Sequence, residues 1–370
     1  VELTDGASGV RAASITAETI DSAMVRTVSH KSDNTYATLA KTSETYYKIH
    51  LGKGDEVADR SFNFDYEGTN IKSVSFYEYG ALELTDGTAG VRAASITADQ
   101  IDYAMVRTVS HKSNNTYATL AKTSETYYKI HLGKGDEVAD RSFNFDYDGT
   151  NIKSVSFYEY GDLELADGQS GTRASAITPD TIDYCMTRTV SHKSNNSYAT
   201  LAKTSETYYK IHLGKGDEIA DRSFNFDYDG LNVKSVSFYE YGILELTDGT
   251  SGIRAASITA SQTNFCMVRT VSHKSNSSYA TLAKTSETYY KIHLGKGDEV
   301  ADRSFNFDYD GLNVKSVSFY EYGLVELTDG ASGVRAASIT AETIDSAMVR
   351  TVSHKSDNTY ATLAKTSETY

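Results

Sequence analysis

Apolar and polar residues alternate along most of this chain, and the alternation returns on a fixed period. Its clearest stretch is Thr45–Tyr66, TYYKIHLGKGDEVADRSFNFDY. The stretch recurs as Thr126–Tyr147, Thr207–Tyr228 and Thr288–Tyr309, always 81 residues on, with Val57 becoming Ile219 as the single change. The runs Tyr47-Ile49-Leu51 and Phe62-Phe64-Tyr66 carry the period-two pattern of strands with one buried face each. Between them LGKGDEVADR holds two glycines and five charges, which predicts a solvated connection.

The same reading extends over the rest of each period. Leu82–Gly87 alternates and ends in an Asp-Gly turn, so a short strand is expected there. Val91–Ile96 is small and half polar, the pattern of an edge strand. Thr178-Pro179-Asp180 gives a hydroxyl cap, a proline at the first helical position and an early acid, predicting one or two helical turns. Met24–His30 and Tyr36–Ala40 flank the polar run Lys31–Thr35 and read as a hairpin. Phe64–Ile71 brackets an acidic glycine turn, and Lys72–Tyr79, KSVSFYEY, is the last strand.

About seven short strands in 81 residues predict an all-β tandem array of β-sandwich-like repeats, with one short helical turn in each. The repeats span 1–81, 82–162, 163–243 and 244–324, and a partial fifth covers 325–370. Only Gly80 and one variable residue (Ala81, Asp162, Ile243, Leu324) separate Tyr79 or its equivalent from the next repeat, so rigid joining or strand sharing is expected. A β-solenoid ranks second, because no coil-length repeat of about 20 residues is visible inside the period. Val1–Tyr46 and Val325–Tyr370 are identical even where the middle copies differ, which suggests a longer period of four repeats and a natural chain longer than 370 residues.

Composition changes this picture in two ways. Tyrosine (28) outnumbers phenylalanine (13) and tryptophan is absent, so tyrosine is expected to build much of the core with its hydroxyl at the wet edge. The formal charge is −14 with both signs scattered, which disfavours nucleic acid and anionic membrane as partners. No run of about 18 apolar residues is present, so no membrane insertion is expected.

Several side chains invite chemistry. Asp65, Glu67 and Asn70, and Asp146, Asp148 and Asn151 in the next repeat, space oxygen ligands as a Ca²⁺ turn would, although a hairpin turn needs the same residues for its backbone. Calcium is the one cofactor the sequence suggests. His30 and His50 recur in every full repeat, and a metal site would need them to meet Asp55, Glu56 or Asp59. Cys185 and Cys266 share one repeat position, filled elsewhere by Ala23, Ala104 and Ala347, which marks a small buried site or a pair of bridging thiols. Asn114-Asn115-Thr116, Asn195-Asn196-Ser197 and Asn276-Ser277-Ser278 are glycosylation sequons on the expected hairpin tip, where Asp33 and Asp357 break the motif. Lys48 near Asn63 and Glu78 has the residue types of an intramolecular isopeptide bond. The tyrosines at 36, 46, 47, 66, 77 and 79 are divided between core, contacts between repeats and an adhesive face.

No nucleophile elbow, phosphate loop, dinucleotide fingerprint or HExxH occurs, and no enzyme is expected. Near-identical copies without linkers point to an extracellular or cell-surface structural protein, a stalk, fibre or filament whose partners are neighbouring copies of itself. In organisation the chain resembles the tandem β-domain repeats of very large microbial surface proteins, which implies an adhesin-like spacer. The alternative is a multivalent carbohydrate-binding protein with glycans as partners.

Overall fold

The computed structural model describes residues 1–32, 37–340, 343, 344 and 346–370. The chain is all-β: among the described residues there are 22 strands, paired antiparallel, and no helix beyond three-residue 3-10 turns. It forms two compact units. One comprises Val1–Glu159, Thr172–Asp183 and Ser191–Leu201, the other Tyr160–Gly171, Tyr184–Val190 and Ala202–Tyr370.

Four long strands recur in each repeat. In the second they are Ala104–Lys112, Lys122–Lys129, Val138–Phe145 and Ile152–Gly161. Within the first unit strands pair in chain order, and the fourth strand of the first repeat, Ile71–Gly80, pairs directly with Ala104–Lys112. The second unit repeats that order from Lys203–Lys210 to Lys365–Thr369. A two-residue strand, Val91–Arg92, borders the end of Ile71–Gly80.

Register divides the side chains between two unlike faces. Arg107 lies opposite Tyr127, Glu125 opposite Phe143, and Phe143 opposite Val155, which puts the aromatic, aliphatic and charged residues on one face. On the other, Thr108 opposes Thr126, Thr126 opposes Ser142, and Ser142 opposes Ser156. The first face holds a core of Tyr127, Phe143, Ile152 and Val155, closed over by Leu84, Phe145, Phe157 and Tyr198. The same set recurs as Tyr208, Phe224, Val233 and Val236 with Leu165 and Tyr279.

Several sequence expectations shift. The strand expected at Tyr47–Leu51 lies earlier and ends at Lys48, so Tyr46 is the buried ring while Ile49 to Leu51 form the turn. The supposed connection LGKGDEVADR gives its second half to the strand Val57–Phe64, and Asp59 is buried there. Leu82–Thr85 makes no ladder. It crosses the core face as a strap, with Leu84 inward, Glu83 paired to Lys129 and Asp86 to Arg141. An extended strap with one residue down and its neighbours up gives the same alternation as a strand. The edge strand at Val91–Ile96 is reduced to two residues before Ala93–Ser95 turns as a 3-10 helix. The helical turn is one 3-10 turn, Pro179–Thr181, whose Thr178 amide donates to Thr181 Oγ1. Of the strand expected at Tyr36–Ala40, Thr38–Ala40 open the strand Thr38–Lys48 and the tyrosine lies outside the described residues; in the second repeat its counterpart Tyr117 is a turn residue with φ of 60° and the strand starts at Lys122.

Candidate functional site: the clasp between repeats

The clasp starts from two residues on the core face that sequence composition would place in water. Glu125 follows the parity of Tyr127, and Arg107 that of Val109, so the sheet carries both charges inward. Arg107 and Glu125 are 7% and 3% exposed. Buried charges survive only with full pairing. Arg107 supplies it, its Nε and Nη2 donating to Glu78 Oε2 and Oε1 at 2.8 and 3.0 Å, and its Nη1 lying 3.5 Å from Glu125 Oε2. The Glu78 carboxylate also accepts from Gly90 N. Glu125 accepts from Lys122 Nζ at 2.7 Å, from Tyr127 OH at 3.1 Å and from Tyr198 OH at 3.0 Å.

These residues belong to three repeats. Glu78 comes from the first, Arg107, Lys122, Glu125 and Tyr127 from the second, and Tyr198 from the third. Tyr198 stands on the hairpin tip of the third repeat, with φ of 60°, a strained conformation for a bulky residue. Its ring meets Phe143 edge-on at 4.8 Å. Asn196, two residues earlier, clamps the turn below it: its Nδ2 donates to Asn151 Oδ1 at 2.8 Å, and its Oδ1 accepts from Ile152 N at 2.9 Å. Two glycines make room. A Cβ on Gly87 would stand 2.9 Å from the Tyr198 ring, and one on Gly149 would stand 2.3 Å from Lys122 N. In the second unit the arrangement returns as Tyr279 on Glu206 and Phe224, and Tyr360 on Glu287 and Phe305.

Electrostatics follow from this packing. Burial opposes the charge of Glu125, but the Lys122 hydrogen bond, with Arg107 and Tyr198, holds its carboxyl below the ordinary 4.5. Burial and the neighbouring carboxylate push the Tyr198 phenol above its ordinary 10.0. In the partial repeat 325–370 the equivalent acid is more open. Glu368 is 21% exposed against 4% for Glu287, and Arg350 Nε is buried without a partner while its other nitrogens reach Glu321, Ser332 and Glu368.

A second set of bonds ties the repeats on the opposite face. Ala93 and Ile96 of the second repeat pack on Val57, Leu51 and Tyr79 of the first. His50 Nε2 lies 2.7 Å from Ile96 O, and Arg92 donates to Asp59 while its guanidinium covers the Phe76 ring. Beyond this contact the face is a field of hydroxyls. Thr126 donates to Ser142, Thr108 to Tyr128 OH, and Ser75 meets Ser110 at 3.0 Å.

The candidates raised by the sequence fall into place around these contacts. Asp65 accepts from Thr69 N and Asn70 Nδ2, and Asn70 Oδ1 accepts from Asn115. Asp146 makes the same bonds with Thr150 and Asn151, whose donors pull it down to about 2. Glu67 and Asp148 are exposed on the turn. His30 Nδ1 lies 3.0 Å from Leu39 O, far along the sheet from His50, and among the described residues no three His, Cys, Asp or Glu side chains gather as a metal site. Cys185 and Cys266 are buried and form no disulfide among the described residues. Lys48 pairs with Glu2, Asn63 donates to Ser73, and Glu78 is held by Arg107, so the isopeptide trio does not meet. Of the tyrosines, Tyr46 is core, Tyr79 donates to Ala58 O, and Tyr147 and its counterpart Tyr309 stand exposed under Lys112 and Lys274. The clasp itself went unread in the sequence. Its signal was a glutamate at core parity in SET-Y, with an arginine at core parity in the preceding strand.

Comparison with known proteins adds no relative. No family model matches the chain, and no curated protein matches it. Among solved structures, TcdB2-TccC3-Cdc42 aligns at 10% identity and a TM-score of 0.12, and TcdB2-TccC3 without its hypervariable C-terminal region at 9% and 0.12. The alignments cover 90% of this chain but only 18% and 19% of those chains, so this chain spans about a fifth of their length. Likeness at that level carries no argument about fold or function.

Proposed function

We propose that the chain is a structural extracellular repeat protein, a stalk, fibre or filament on or around cells in which the 81-residue period is the building module. The observation that carries this reading is the clasp: a hairpin tip from each repeat completes the core of the one before, with no spacer between them. Each module has sandwich-like layering, with strap and hairpin tip serving as the second layer over the core face. Repeats that finish one another transmit force and extend by addition. Neighbouring copies of the chain are the partners such a material needs. The −14 charge and scattered lysines suit a soluble exterior; no helix is long and apolar enough to cross a membrane. Electron microscopy of native material tests this reading: periodic rods or filaments outside cells support it, and dispersed intracellular monomers overturn it.

The hydroxyl face favours a second reading, a multivalent carbohydrate-binding protein. Its serine, threonine and tyrosine pairs repeat along the ladders and offer donors, acceptors and rings to a polyhydroxylated ligand. Glycan-array binding that is lost on replacing Tyr158 with alanine, with the fold retained, would favour it.

A further inference from the structure

The hairpin tips of the second and third repeats carry two neighbouring asparagines with different tasks. Asn196 is consumed by the clamp, whereas Asn195 is exposed and builds only its own turn. The Asn195 Oδ1 accepts from Ser197 N, Ser197 Oγ and Ala199 N at 3.1, 2.7 and 3.3 Å. Asn114 makes the same three bonds with Thr116 and Ala118, and Asn276 with Ser278 and Ala280. Those donors fix which side-chain atom is the oxygen, and so turn each Nδ2 away from the turn. None of the three Nδ2 groups donates to any described residue.

The last repeat separates what the turn needs from what the amide adds. Asp357 occupies this position and accepts the same bonds, from Thr359 N at 2.9 Å, Thr359 Oγ1 at 2.6 Å and Ala361 N at 3.3 Å. A carboxylate therefore serves the backbone as well as an amide does. What asparagine contributes at 114, 195 and 276 is a solvent-facing NH2, followed in each case by a hydroxyl residue two places on.

We infer that Asn114, Asn195 and Asn276 are N-glycosylation sites, and that aspartate at the same place leaves the last repeat bare. The inference rests on the extracellular reading above. In the reaction the amide nitrogen attacks the anomeric carbon of an oligosaccharide held on a lipid diphosphate. The new C–N bond forms as the C–O bond to the diphosphate breaks; the lipid diphosphate leaves with the electron pair, and an oligosaccharyltransferase carboxylate takes one amide proton. The modification precedes seating of the tip, and the finished glycan stands on the outer side of the turn while Tyr117, Tyr198 or Tyr279 closes beneath it.

The test is glycopeptide mass spectrometry of the full chain secreted from eukaryotic cells. The expected result is glycan at Asn114, Asn195 and Asn276, none at Asn115, Asn196 or Asn358, and loss at one site alone in Asn195→Asp with an unchanged thermal melt. Bare asparagine at all three sites in secreted, folded chain overturns the proposal, as does glycan on Asn196. Extracellular filaments with bare tips would refute glycosylation and leave the structural reading standing; glycosylated chains that form no filaments would do the reverse.

Discussion

The two faces of the sheet are built from opposite materials. In the second repeat one face stacks Tyr127, Phe143 and Val155 around a buried Glu125–Arg107 pair, and the other opposes Thr126 with Ser142 and Ser142 with Ser156. The first face is closed by a strap from its own repeat and a hairpin tip from the next. The second is covered near Val57 and its equivalents by Ala93 and Ile96, and elsewhere sets hydroxyl against hydroxyl with Ser142 buried among them. Stability and continuity between repeats therefore concentrate on the first face. Each neutral hydroxyl pair on the second face contributes only about 0.5–1.5 kcal/mol net.

Substitutions should rank accordingly. Phe143→Ala removes a ring that is 1% exposed and seats Tyr198, and should cost about 3–5 kcal/mol. Arg107→Leu leaves the buried Glu78 without its cation and should cost a similar ~3–5 kcal/mol, with much of the loss recovered when Glu78→Leu is added. Both are read from chemical denaturation of the full chain. Tyr198→Phe keeps the ring and deletes one hydrogen bond to a buried carboxylate, for a loss of about 1.5–3 kcal/mol. Thr126→Val on the hydroxyl face should change stability by about 1 kcal/mol or less. A larger loss there than at Tyr198 would erase the contrast between the faces.

The same contrast predicts a pH profile. The Glu125 carboxyl lies below its ordinary 4.5 in the fold, so its contribution is present above pH 4.5 and is lost as pH falls through the folded value. The Tyr198 and Tyr127 phenols are raised, so theirs is complete below 10.0 and declines as pH rises beyond it. Thermal melts should show a plateau between these limits, and Glu125→Gln should flatten the acid limb.

Much of this was legible in the sequence. Period-two alternation located the strand Lys72–Tyr79, and the absence of a spacer after Gly80 anticipated the shared contacts. The misplacements have physical causes. Tyr47-Ile49-Leu51 alternates as well as Glu44-Tyr46 does, and local pattern cannot tell which parity faces the core when the buried set includes a glutamate. Leu82–Thr85 alternates because it lies on a sheet, not in one. The DYDG turn fits two readings at once, because a carboxylate that caps backbone amides uses the residues a calcium site would. Tyr198 could not be assigned from its own repeat, since its partner is 73 residues away.

Hydrogen exchange on the full-length Tyr198→Ala variant tests most directly whether repeats complete one another. The account predicts that amides of Val138–Phe145 and Ile152–Tyr158, in the repeat before the substitution, lose protection along with the altered tip. Loss confined to residues 191–203, with the preceding strands as protected as before, would contradict it.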